Sequence, residues 1–132
     1  MRTNVATLKT SRMKILIIDD NIEMRRLIKT LVGKMADAVY ECDDGRNALR
    51  EYEKHRPDFV LMDIELGEKD GISATSDIVN SFPEAQVIVV TNHDDVNYRA
   101  AAFAAGAREY VVKDNLVQLR KLLIEADEKG TL

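Results

Sequence analysis

Four short segments of this chain are apolar at every position: Ile15-Leu16-Ile17-Ile18, Phe59-Val60-Leu61-Met62, Val87-Ile88-Val89-Val90 and Tyr110-Val111-Val112. A strand with one face in water alternates apolar and polar residues. A strand that is apolar throughout needs cover on both faces, as in parallel sheets flanked by helices. The segments between these runs change period. Ile22, Met24, Leu27, Ile28, Leu31 and Val32 recur at near-helical spacing and stop at Gly33, which is expected to cap the helix. Ala38-Val39-Tyr40 reads as a weaker strand, followed by the turn-like Asp43-Asp44-Gly45. Ala48, Leu49 and Tyr52 mark a second helical face before Pro57, and residues 72–82 a third, ending before Pro83. Asp94-Asp95 suit the start of a fourth helix that carries Tyr98, Ala101, Ala102, Phe103 and Ala105 and is capped by Gly106. A final helix uses Leu116, Leu119, Leu122, Leu123 and Ala126. Five strands alternating with five helices through short links predict a doubly wound α/β domain.

The chain has 132 residues, the size of one domain. We place its boundaries at 13–127, with a polar N-terminal tail over 1–12 and a short C-terminal tail over 128–132. With 45% hydrophobic and 32% charged residues, the composition excludes a disordered chain. Nineteen basic against 23 acidic residues give a net charge of −4, the wrong sign for a protein that lives on phosphate-backbone contacts. Direct contact with nucleic acid is therefore not expected. The single cysteine, Cys42, cannot form an intrachain disulfide or a cysteine-rich zinc site. No apolar run approaches the roughly 18 residues that a membrane span needs, and the N-terminus lacks the apolar stretch of a secretory signal. The expectation is a cytoplasmic domain without membrane contact.

The residues that close the strands carry the chemistry. Ligands of open parallel sheets bind beyond the carboxyl ends of the strands. Here those ends hold Asp19 and Asp20, Asp63, Thr91 and Lys113. One acid at a strand end is commonly a loop start or a helix cap. Five such residues closing successive strands have no packing rationale, and three clustered acids repel one another. A divalent cation would relieve that repulsion, and an all-carboxylate set suits magnesium (or manganese). A carboxylate can attack phosphorus to form an aspartyl phosphate, with the cation, a hydroxyl and an ammonium stabilising the phosphoryl oxygens. Asp63, alone on its strand end and followed by Gly67 and Gly71, is the candidate nucleophile; Asp19 and Asp20 suit the metal.

Taken together, Ile15-Leu16-Ile17-Ile18-Asp19-Asp20-Asn21, Val60-Leu61-Met62-Asp63 with Asp70-Gly71, Val87-Ile88-Val89-Val90-Thr91 and Tyr110-Val111-Val112-Lys113 resemble the receiver domain of two-component response regulators. The resemblance covers nearly the whole chain after the tail. It implies a (βα)5 fold whose parallel sheet runs in the order 2-1-3-4-5, with helices on both faces. It implies Asp63 as phosphoacceptor, with magnesium held by Asp19 through water, by Asp20 and Asp63, and by the backbone carbonyl of Glu65. Thr91 and Lys113 take phosphoryl-contact roles, and Tyr110 that of an aromatic switch.

By the same resemblance, the chain is a signalling switch rather than an enzyme, though one that assists its own phosphorylation and dephosphorylation. A histidine kinase or phosphotransfer protein supplies the phosphoryl group. The face built from the fourth helix, fifth strand and fifth helix then controls an output partner or a DNA-binding effector domain, and a homodimer on phosphorylation is compatible with this. The chain departs from the family pattern at Gly67, where proline is usual, and at Asn92, where a small residue is commoner. It departs again at Asp114, a position where proline is frequent. Glu65, Asn92 and His93 rim the site and are the candidates for modulating its rates. Two other readings compete: a receiver-like docking module that works without phosphorylation, and a magnesium-dependent phosphohydrolase with an aspartate nucleophile.

Overall fold

A computed structural model describes residues 13–129. The strands are β1 (Lys14–Ile18), β2 (Ala38–Cys42), β3 (Phe59–Met62), β4 (Val87–Thr91) and β5 (Glu109–Val112). The helices are α1 (Ile22–Val32), α2 (Ala48–His55), α3 (Gly71–Ser81), α4 (Val96–Ala104) and α5 (Leu116–Lys129). Single 3-10 turns over Gly45–Asn47 and Lys113–Asn115 lead into α2 and α5. All strand pairs are parallel, as the apolar runs predict, and the sheet order is β2-β1-β3-β4-β5, as the family resemblance implies.

The uniformly apolar strands divide their side chains between two layers. Ile15 and Ile17 of β1 pack with Leu61, Ile88, Val90 and Val111 against Ile28 and Val32 of α1 and Leu119 and Leu123 of α5. Leu16 and Ile18 point the other way, joining Val60, Met62 and Val87 under Ala48 and Tyr52 of α2 and Ala74 and Ile78 of α3. A third cluster of Ile64, Val89, Ala102, Ala107 and Tyr110 seats α4. Burying one such aliphatic side chain contributes about 1.5–3 kcal/mol, so a strand with two buried faces is held in register from both sides.

Three of the helices, α1, α3 and α4, have side-chain caps at their N-termini. The side chain of Asn21 accepts from the Met24 amide (3.0 Å), Asp70 from Ser73 (2.8 Å) and Asp95 from Asn97 (2.7 Å). Gly33 is the C-cap of α1 as expected, but in a right-handed conformation (φ −62°), where a Cβ would crowd the Lys29 carbonyl. Gly106 does adopt a positive φ of 111°, and its missing Cβ leaves room for Val79. Strand β2 runs two residues beyond the expected 38–40. α2 ends before Pro57 as expected, through a left-handed Arg56. The expected tail at 1–12 and residues 130–132 lie outside the described residues, whereas α5 continues to Lys129. Among the described residues, no helix is long and apolar enough to cross a membrane.

Candidate functional site

Register brings the acids together. β1 and β3 are neighbours with Ile18 opposite Met62, so Asp19 and Asp63 leave the sheet side by side. The backbone extends that pairing: Asp63 N–H donates to the Ile18 carbonyl (2.9 Å) and Asp19 N–H to the Cys42 carbonyl (3.0 Å). Each carboxylate then divides its two oxygens. Asp19 Oδ1 accepts from the Asn21 amide (2.9 Å) and Asp63 Oδ1 from the Ile64 amide (2.8 Å). The remaining oxygens face Lys113, whose Nζ lies 2.8 Å from Asp19 Oδ2 and 3.3 Å from Asp63 Oδ2. Asp19 and Asp63 are buried (1% and 5% exposed), while Asp20 is exposed. One carboxylate oxygen from each of Asp19, Asp20 and Asp63 lies within 4.8 Å of the others. Three hard oxygen donors at this separation fit a magnesium-type cation.

The electrostatics reflect a crowded anionic site held by one cation. Burial pushes the Asp63 carboxyl above its ordinary range, and the neighbouring Asp19 carboxylate adds to this; Lys113 offsets only part of it. Burial alone would lower the affinity of Lys113 for its proton, but its contacts with Asp19 and Asp63 outweigh that and raise it. Lys113 is therefore a fixed positive charge whose side chain is only 6% exposed.

The other expected residues arrange themselves around this core. Thr91 ends β4 fully buried, and its Oγ1 accepts from the His93 amide (3.3 Å). The Tyr110 hydroxyl donates to the His93 carbonyl (2.7 Å), with the ring buried and the Arg99 guanidinium 4.6 Å from its centroid. His93 Nε2 lies 3.0 Å from Glu65 Oε2, and its ring is 4.7 Å from that of Tyr98. His93 thus links Thr91, Tyr110 and Glu65. A cleft of about 220 Å³ opens above the acids, lined by Asp19, Asp20, Asp63, Glu65, Asn92 and Lys113 together with Asn21 and Met24. The last two were not anticipated as lining residues, although Asn21 directly follows the acidic pair.

Gly71 also has a more specific role than loop flexibility. Its amide donates to the Ile64 carbonyl (2.8 Å), and a Cβ at this position would overlap the Asp63 carbonyl. Gly67, with a φ of 79° in open space, is the conformational glycine of this loop.

Residues 15–124 match the model of the response regulator receiver domain. The chain belongs to this family. It is 33% identical over 106 residues to the transcriptional regulatory protein DegU of Brevibacillus brevis, covering 79% of this chain and 45% of that protein. It is 36% identical over 101 residues to the chemotaxis protein CheY of Bacillus subtilis, covering 76% and 84% of the two chains. Among solved structures, a LuxR-family two-component response regulator from Aurantimonas sp. SI85-9A1 superposes with a TM-score of 0.77 at 30% identity, covering 90% of this chain and 84% of that one. The receiver thus spans about half the length of the DegU regulator and most of the chemotaxis protein.

Proposed function

We propose that this receiver accepts a phosphoryl group on Asp63 from a histidine kinase or phosphotransfer protein and acts as a phosphorylation-dependent switch. The observation that carries the reading is the division of labour at Asp63. Oδ1 is held by the Ile64 amide, and Oδ2 faces the cleft beside a buried ammonium and two further carboxylates. In the transfer, Asp63 Oδ2 forms a bond to phosphorus as the bond from phosphorus to the donor imidazole breaks. The imidazole leaves with the electron pair of that bond and retains or takes up a proton. The carboxylates of Asp19, Asp20 and Asp63 and the Glu65 carbonyl would hold magnesium, which supplies charge neutralisation and in-line alignment when bound. Lys113 Nζ neutralises a second phosphoryl oxygen. Transfer replaces the single negative charge of Asp63 with the larger one of an acyl phosphate, so the Lys113 ammonium, shared beforehand by Asp19 and Asp63, has more charge to neutralise afterwards.

The Thr91 hydroxyl accepts from the His93 amide, so its own proton is available for a phosphoryl oxygen. Movement of Thr91 toward that oxygen draws on His93, and through the His93 carbonyl on Tyr110. The change passes to the surface of α4, β5 and α5, biasing a two-state equilibrium. The output is an effector domain or a separate protein, in keeping with relatives named as transcriptional and chemotaxis regulators. Glu65, Asn92 and His93 at the rim set how readily donors enter and water attacks.

The test is intact-mass measurement after incubation with a small phosphodonor and magnesium, with a chelated sample and Asp63→Asn as controls. The expected result is a gain of one phosphoryl group in the wild type alone, abolished by chelation. No gain would support the docking-module reading, and continuous release of inorganic phosphate from phosphoesters the phosphohydrolase reading.

A further inference from the structure

Arg25 lies outside the set that the sequence singles out, yet it reaches the metal-facing turn twice. Its backbone amide donates to the Asn21 carbonyl (3.0 Å), the first bond of α1. Its side chain folds back so that Nη1 donates to the Asp19 carbonyl (2.7 Å) and Nε to Glu41 Oε1 (2.9 Å). The guanidinium is largely buried, at 13% exposed. Glu41, on the edge strand β2, also faces Lys29 at 3.4 Å. Burial pushes the Glu41 carboxyl up, but the hydrogen bonds from Arg25 and Lys29 outweigh it and hold the group below its ordinary range.

The Asp19 carbonyl belongs to the peptide unit that joins Asp19 to Asp20. A peptide unit is a rigid plane, so fixing its oxygen fixes the orientation of the backbone from which both carboxylates project. A guanidinium is suited to this because its planar fork keeps two acceptors at set angles.

We infer that Arg25, oriented by Glu41, is a positioning residue for the cation site, setting the Asp19–Asp20 peptide so that the two carboxylates converge with Asp63. This rests on the reading of that cluster as a magnesium site. It makes a signed prediction. If Arg25 acted only through its charge, removing it would tighten binding of a divalent cation. If it acts by positioning, removing it weakens binding.

The experiment is calorimetric titration of magnesium chloride into the unphosphorylated chain, using samples shown by circular dichroism to be folded. The variants are Arg25→Met, Arg25→Lys and Glu41→Gln. Arg26→Met, which removes an exposed guanidinium paired with Glu23 (3.4 Å), serves as control. Groups that orient metal ligands typically change affinity about 10- to 100-fold. Arg25→Met is expected to weaken binding by that factor and Glu41→Gln by less. Arg25→Lys, which keeps the charge but loses the fork, is expected to fall between wild type and Met. Arg26→Met should bind as wild type does. Equal or tighter binding by Arg25→Met overturns the inference. Should that variant not fold, unchanged affinity in both Arg25→Lys and Glu41→Gln does the same. A wild type that takes up no magnesium overturns the metal-site reading itself, a result distinct from either.

Discussion

At the scale of single residues, the site depends on the buried ammonium of Lys113. Lys113 holds two buried carboxylates, and removing one partner of a buried ion pair typically costs about 3–5 kcal/mol. Lys113→Met should therefore lower unfolding free energy by about 3 kcal/mol in metal-free buffer. Magnesium should recover part of that loss by taking over the neutralisation, which urea titrations with and without the cation would measure. Glu41 gives a pH signature away from the acidic cluster. Its folded carboxyl is held below the ordinary 4.5. Its contribution to stability is thus present above the unfolded value and lost as pH falls through the folded one. Glu41→Gln should be less stable than wild type at neutral pH, and the gap should close on acidification below about 4.5, the ordinary Glu value. A gap that persists unchanged in acid would show that the carboxylate charge is not what Arg25 and Lys29 hold.

At the scale of elements, α1, α3 and α4 each begin where a short polar side chain replaces the missing intrahelical acceptor. Asp95 caps α4 through the Asn97 and Tyr98 amides, so Asp95→Ala should cost about 1 kcal/mol, read from chemical unfolding. The α4 cap was legible because Asp94-Asp95 directly precede the apolar periodicity, whereas Asn21 and Asp70 read as strand-end and loop residues and emerge as caps only in the structure. The central strands were equally legible, since Ile15 to Ile18 and Val87 to Val90 can be satisfied only between two layers of helices. β2 was underestimated for a physical reason: as an edge strand it is half-buried, and Glu41 interrupts its apolar pattern. The structure explains Glu41 by its Arg25 partner rather than by the sheet. Gly71 shows the opposite failure. A glycine required by close approach of a backbone carbonyl reads the same in sequence as one required by a left-handed turn. Arg25 itself was invisible because its decisive acceptor is a backbone oxygen, which leaves no residue-type trace.

At the scale of the whole molecule, strand order decides which polar residues meet. With β1 beside β3, and β3 beside β4, the acids, Thr91 and Lys113 are gathered at one edge of the sheet from four separate strand ends. The five polar residues at those four strand ends made that edge readable before any coordinates. The links through His93 to Tyr110 and Glu65 were not readable, because they depend on loop conformation. Beyond the edge, α4 carries Val96 and Phe103 in solvent and α5 carries Val117 and Ile124, so the face to which the proposed switch leads is partly apolar.

The account stands on Asp63 as the acceptor, and locating the phosphoryl group tests that most directly. Borohydride reduces an acyl phosphate and converts the parent aspartate to homoserine. After phosphorylation in magnesium, reduction and trypsin digestion, the peptide spanning residues 55–69 should carry homoserine at position 63, and every other aspartate should be unchanged. Conversion at Asp19, Asp20 or another acid, or no conversion in a sample that has gained phosphoryl mass, would contradict it.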